Sequence, residues 1–169
     1  DTPHFSANDW EVAIPARNLS RAIEIIDQTM DRSSTQCFPI FGVLIRFDRV
    51  SNSTLLSGNS PDDNFILGEQ IAHIEFQNYR PYGLPDSYVN DYNQQYYNIL
   101  TTMINELHAR PHWGKNADYI FSHPTTLEVN RERIQQFNTV IAQMDSNGTF
   151  ATNFHLNAGF GWPNLGQPQ

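Results

Sequence analysis

Trp10-Glu-Val-Ala-Ile-Pro15 and the run behind it, Asn18-Leu-Ser-Arg-Ala-Ile-Glu-Ile-Ile-Asp-Gln-Thr-Met30, decide the fold class. In the first, Trp10, Val12 and Ile14 alternate with Glu11 and Ala13, the period of a half-buried strand, and Pro15 stops it. In the second, Asn18 offers an N-cap, and Leu19, Ala22, Ile23, Ile26 and Met30 recur at helical spacing as one apolar face. A strand that leads straight into an amphipathic helix opens a βα unit.

The same periods continue along the chain. Phe38 to Val50 reads as a long strand, with Ile40, Leu44, Arg46 and Asp48 on one side and Phe41, Val43, Ile45 and Phe47 on the other. An Arg and an Asp among so many apolar neighbours mark either the open end of a strand or the lining of a site. Ser51 to Asn64 is a polar loop, and a second long strand covers roughly Phe65 to Tyr79. Pro85 and Asp86 open the longest helix, which reaches about Leu107 on a face of Tyr88, Tyr92, Tyr96, Ile99, Met103 and Leu107. That stripe is core packing rather than a cofactor box. After a short strand near Arg110, Thr125 and Glu128 fit a capping box for a last helix carrying Ile134, Phe137, Ile141 and Met144. Asn147-Gly148 is a turn, and the aperiodic tail beyond Phe150 is expected to lie against something else. The expected fold is α+β, a mostly antiparallel sheet covered by helices on one face in a duplicated ferredoxin-like βαβ arrangement. No sequence repeat accompanies it, so the duplication would be structural only.

Composition narrows the function. The chain has 169 residues, the size of one domain, and 39% hydrophobic residues, enough for a core. A net charge of -8 without a basic run argues against a nucleic-acid partner, which needs clustered cations. No apolar stretch approaches the ~20 residues of a transmembrane helix, and no signal-peptide pattern opens the chain; a single cysteine fits either redox environment, so the compartment stays open. The single cysteine, Cys37, excludes an internal disulfide framework and reads as a buried structural thiol. Pro111 breaks the helical spacing between His108 and His112, so no metal site is expected. Nucleotide-binding glycine loops and the serine-hydrolase elbow are missing from the sequence.

One segment is dense in special residues: Arg110-Pro-His-Trp-Gly-Lys115. Gly114 permits an unusual backbone that could aim the next side chain into a cleft. Trp113 supplies a flat wall and His112 a donor or acceptor. Lys115 is the only lysine beside nine arginines. It could serve as a positive charge beside a developing anion, as a base if desolvated, or simply as an exposed residue at a strand end.

His108-Ala-Arg-Pro-His-Trp-Gly-Lys115 resembles the Arg-Pro-His-Trp-Gly-Lys signature of the sugar-1,4-lactone oxidases. These include the D-arabinono-1,4-lactone, L-gulonolactone and alditol oxidases of the vanillyl-alcohol oxidase flavoprotein superfamily. Trp10 to Pro15 is similar to the family's Trp-Ala-Val-Pro opening strand, and Val43-Leu-Ile-Arg-Phe47 falls where members carry Val-Glu-Val-Arg-Phe. Tyr79-Arg-Pro-Tyr-Gly83 and Met144-Asp-Ser-Asn-Gly-Thr-Phe150 extend the likeness in order and spacing over nearly the whole chain.

The resemblance implies that residues 1–169 are a C-terminal substrate or cap domain. FAD would be held mainly by a preceding FAD-binding domain, so this chain alone is expected to be inactive. It implies oxidation of a CH–OH group of a sugar lactone or polyol by hydride transfer to flavin. Lys115 and Arg46 would be the catalytic cations, next to both flavin and substrate. Asn78, His112, Trp113 and Glu75 are the further substrate-side candidates, His112 and Trp113 in a supporting role. One departure stands out: the family's Glu-x-Arg is Leu44-Ile45-Arg46 here, so Arg46 lacks its usual carboxylate, for which Asp48 and Glu75 are the candidates. A diverged, non-catalytic cap that binds a ligand or partner is the alternative.

Overall fold

A computed structural model of the chain describes residues 6–32, 42–80, 86–116 and 118–163. Strand β1 (Ser6–Pro15) passes through a 3-10 turn, Ala16–Asn18, into helix α1 (Leu19–Arg32). Strands β2 (Val43–Arg49) and β3 (Gln70–Arg80) follow, joined by residues 50–69; then come helix α2 (Asp86–Leu107) and the short strand β4 (Arg110–Pro111). The sheet order is β2-β3-β1-β4 with every neighbouring pair antiparallel. This βαββαβ order is the ferredoxin-like arrangement, and one copy of it is present among the described residues. The antiparallel sheet with helices on one face is as expected.

Trp10, Val12 and Ile14 of β1 and Ala72, Ile74 and Phe76 of β3 point to the helix side and are buried against α1 and α2. The face of α1 is turned slightly from the expected one: Ile25 is buried and Ile23 is half-exposed. Three isoleucines at positions 23, 25 and 26 leave the helix two possible stripes, and packing against the sheet selects the one through Ala22, Ile25, Ile26 and Met30. On α2, Tyr96, Ile99, Met103 and Leu107 are buried as core, with Tyr96 stacked on Trp10 at a centroid distance of 6.2 Å. The side chains of Tyr88 and Tyr92 lie outside the described residues, as do Cys37, residues 38–41 of the expected first long strand, and Pro81 to Pro85. His108, in the left-handed region at φ 55°, ends α2, and the Ala109 N–H returns to the Met103 carbonyl at 3.2 Å.

A second layer covers the other face of the sheet. Phe65, expected in the second long strand, instead sits in the β2–β3 connection and is buried with Ala13, Val50 and Ile71. Arg110 pins this connection: its guanidinium lies 3.6 Å from the Phe65 ring centroid, donates to the carbonyls of Gly58 (3.1 Å) and Ser60, and pairs with Asp62. Burial and the nearby charge of Arg133 lower its pKa to about 10, so it stays cationic at neutral pH. Gly58 comes so close that a Cβ would stand 2.8 Å from the Ala13 Cβ.

Helices α3 (Asp118–Phe121), α4 (Pro124–Met144) and α5 (Asn153–Asn157) complete the chain. The N-cap of α4 is His123, whose ring accepts from the Thr125 N–H at 3.3 Å, and not Thr125. Pro124 favours this start because its fixed φ suits the first helical position. Glu128 is thereby freed to pair with Arg131. Ile134 and Ile141 are buried as expected, while Met144 is exposed. The tail lies against the chain itself: Phe160 and Trp162 join Phe121, Ile134 and Ile141 in a separate apolar cluster, tied by the Trp162 indole N–H to Asp145 at 2.9 Å.

Candidate active site

Antiparallel register puts Glu11 directly opposite Glu75 and Ala13 opposite His73, and puts Leu44 opposite Glu75 and Arg46 opposite His73. Because side chains alternate, these residues share the sheet face turned away from α1 and α2. Two facing carboxylates repel each other, and both are nearly inaccessible, Glu11 at 0% and Glu75 at 3% exposure. Two cations answer them. Lys115 Nζ lies 2.9 Å from Glu11 Oε2 and 2.7 Å from Glu75 Oε1, and Arg46 Nη2 lies 2.7 Å from Glu11 and 3.5 Å from Glu75. His73 Nδ1 stands 3.0 Å from the other Glu11 oxygen, and the Gln77 amide donates to Glu75 at 2.8 Å.

The electrostatics follow from that geometry. Burial alone would raise the Glu11 pKa, but the hydrogen bonds from His73 and Lys115 and the lysine's charge outweigh it and hold the carboxyl at about 2. For Lys115, burial would favour the neutral amine, yet the bonds to Glu75 and Glu11 raise its pKa above the ordinary 10.5. Lys115 is therefore a fixed cation at neutral pH rather than a base. The carboxylates are buried while the cations reach outward, Lys115 to 22% and Arg46 to 52% side-chain exposure.

Lys115 reaches the pair through a tight turn after β4. The His112 N–H donates to the Glu11 carbonyl at 3.0 Å, and the Lys115 N–H closes back on the His112 carbonyl at 3.2 Å. The unusual backbone falls not on Gly114 but on Asn116, at φ 74°. The Gly114 N–H instead donates to the His112 ring at 3.1 Å.

Arg46, Glu11, His73, His112 and Trp113 border one cavity of about 450 Å³. His112 is exposed at its rim. Trp113 is mainly a packing residue, stacked on Phe121 at 4.7 Å with its N–H donated to the Leu56 carbonyl at 2.7 Å. Asp48, although it borders the cavity, is engaged by Asn59 and the Arg49 N–H, so of the two candidate partners for Arg46 it is Glu75 that stands beside it. Asn78 lies on β3 opposite Asn8, with its side chain outside the described residues.

Residues 2–158 match the family described as D-arabinono-1,4-lactone oxidase. The chain belongs to that family. Among its relatives are the L-gulono-1,4-lactone dehydrogenases of two Mycobacterium tuberculosis strains, CDC 1551 / Oshkosh and ATCC 25618 / H37Rv. Each is 28% identical over 138 residues, 81% of this chain and 26% of the relative. The chain thus spans about a quarter of the length of these family members.

Of the residues that meet here, the sequence reading named Lys115, Arg46 and Glu75 as candidates and did not name Glu11, His73 and Asn116. A signal for the first two existed. On β1 and on β3 the polar residues Glu11, His73 and Glu75 occupy alternate positions between apolar ones, so a polar face is written into both strands.

Proposed function

We propose that this chain is the C-terminal substrate domain of an FAD-dependent oxidoreductase that oxidises a CH–OH group of a neutral sugar lactone or polyol. The flavin would be held mainly by an FAD-binding domain outside residues 1–169. The observation that carries this reading is the convergence of Lys115 and Arg46, two outward-reaching cations, on one buried carboxylate pair, of which Glu11, with Arg46, borders the cavity while Lys115 and Glu75 stand behind it.

Bound flavin would supply the acceptor for the hydride. The residues here fit a group that gains negative charge, because the Lys115 ammonium and the Arg46 guanidinium are held in place before that charge develops. Preorganised cations lower a barrier most where water is excluded. Glu11 and Glu75 keep both cations oriented and balance their charge, which suits a neutral substrate better than a carboxylic acid. Glu75 also stands directly across the ladder from Leu44. In this reading it supplies from β3 a carboxylate for Arg46 that position 44 on β2, a leucine, does not. Glu75 would meet substrate hydroxyls, His112 would line the entrance, and Trp113 would hold the turn that carries Lys115; Asn78 has the strand parity of Phe76, on the helix side of β3, and is left out of the site.

The test is the visible spectrum of the full-length protein, recorded anaerobically before and after adding a panel of aldonolactones and alditols. Bleaching of the flavin band by one of them is the expected result and names the substrate group. A flavin band that no compound bleaches would overturn the reading in favour of a cap that binds ligand without chemistry.

A further inference from the structure

We propose that Asn116 is the positioning residue of this site: its side-chain amide bridges the backbones of Glu11 and His112 and so sets where Lys115 stands relative to the two carboxylates. Strand β4 ends at Pro111, and beyond it the His112 N–H still donates to the Glu11 carbonyl at 3.0 Å. Between the Glu11 N–H and the His112 carbonyl, where the second bond of that pair would run, stands one side chain. Asn116 Oδ1 accepts from the Glu11 N–H at 2.9 Å, and Nδ2 donates to the Glu11 carbonyl at 2.9 Å and to the His112 carbonyl at 3.0 Å. Its own N–H donates to the Asp9 carbonyl at 2.7 Å.

Few residue types could do this. A φ of 74° is left-handed, which glycine tolerates best and asparagine better than most residues with a side chain. Glycine has no amide to mimic the peptide, and a longer amide would overshoot Glu11. The requirement on Asn116 matters because of what precedes it. Lysine has a flexible four-carbon stem and would not by itself hold one geometry. Here its main chain is fixed on one side by the bond to the His112 carbonyl and on the other by Asn116, both anchored to the residue whose carboxylate it must meet.

The inference takes from the reading above only that Lys115 is the functional cation, and its test does not use turnover. Lys115 is the only lysine in the chain, so its amine can be followed by acylation with a water-soluble active ester and mass spectrometry of the peptide that contains it. The charged and titratable groups around it are Glu11 on β1, Glu75 and His73 on β3, Arg46 on β2 and His112 on its own turn. The variants are Asn116→Gly, which keeps the backbone conformation and removes the amide, and Asn116→Ala, which removes the same amide and adds backbone strain. Glu11→Gln sets the full effect.

At a fixed pH of about 9, where the amine is mostly protonated, each Asn116 variant should acylate several-fold faster than the wild type, and Glu11→Gln at least as fast. The two Asn116 variants should give the same pH profile for Lys115, although the alanine form melts at the lower temperature. A Lys115 profile unchanged in Asn116→Gly would overturn the proposal. So would an effect that tracks the melting temperature rather than the loss of the amide. Loss of cooperative melting in Asn116→Gly would also overturn it, since Asn116 would then be holding the fold and not the lysine.

Discussion

The two faces of β1 and β3 differ in kind although both are buried. On the helix side, Trp10, Val12, Ile14, Ala72, Ile74 and Phe76 form an apolar core. One residue over on the same strands, Glu11, His73 and Glu75 form an ionic cluster with Lys115 and Arg46. Apolar burial stabilises the fold directly, at about 25 cal/mol per Å². Burial of charge is costly and is offset here because each carboxylate oxygen meets a cation or a hydrogen-bond partner.

The contrast can be broken from either side. Trp10→Ala on the apolar face should have the largest effect, a loss of about 3–5 kcal/mol in urea unfolding with no change in the acylation profile of Lys115. The ionic face should instead respond to pH. The Glu11 carboxyl is depressed from 4.5 to about 2 in the folded chain, so its contribution is complete above about 4.5 and is lost as pH falls towards 2. On the order of 3 kcal/mol should disappear over that window, and Glu11→Gln should flatten it. For Lys115 the sign is opposite: its raised pKa gives stability that is full below 10.5 and lost only as pH rises through the higher folded value. Gly58→Ala, which would press a Cβ against Ala13 behind the site, should cost roughly 1–3 kcal/mol. Arg131→Ala, which removes a solvent-exposed pair with Glu128, should leave the unfolding midpoint within about 0.5 kcal/mol of wild type.

Much of the fold was legible because its signals are local. Alternation gave β1, helical spacing gave α1 and α2, and the tyrosine stripe fell on the core side where it could be seen at Tyr96. What depended on distant parts of the chain was not legible. Glu11 reads as the solvent side of a half-buried strand until the 50–69 connection and the turn at Lys115 are known to cover it. The tail has no period because Phe160 and Trp162 pack on α4 and α3 without forming an element of their own. The site divides in the same way. Lys115 and Arg46 stand out through a motif, but their meeting with Glu11 and Glu75 is a consequence of strand register and of a left-handed Asn116, neither of which spacing reveals.

The most direct test of the ionic face as a catalytic face is the rate of flavin reduction in the full-length protein, measured by anaerobic rapid mixing. Wild type and Lys115→Met would be compared with whichever lactone or alditol bleaches the flavin. Removing a preorganised charge of this kind should slow reduction by on the order of 10²–10³-fold and change the substrate dissociation constant far less. A reduction rate equal to wild type, or a loss carried entirely by weaker substrate binding, would contradict the account.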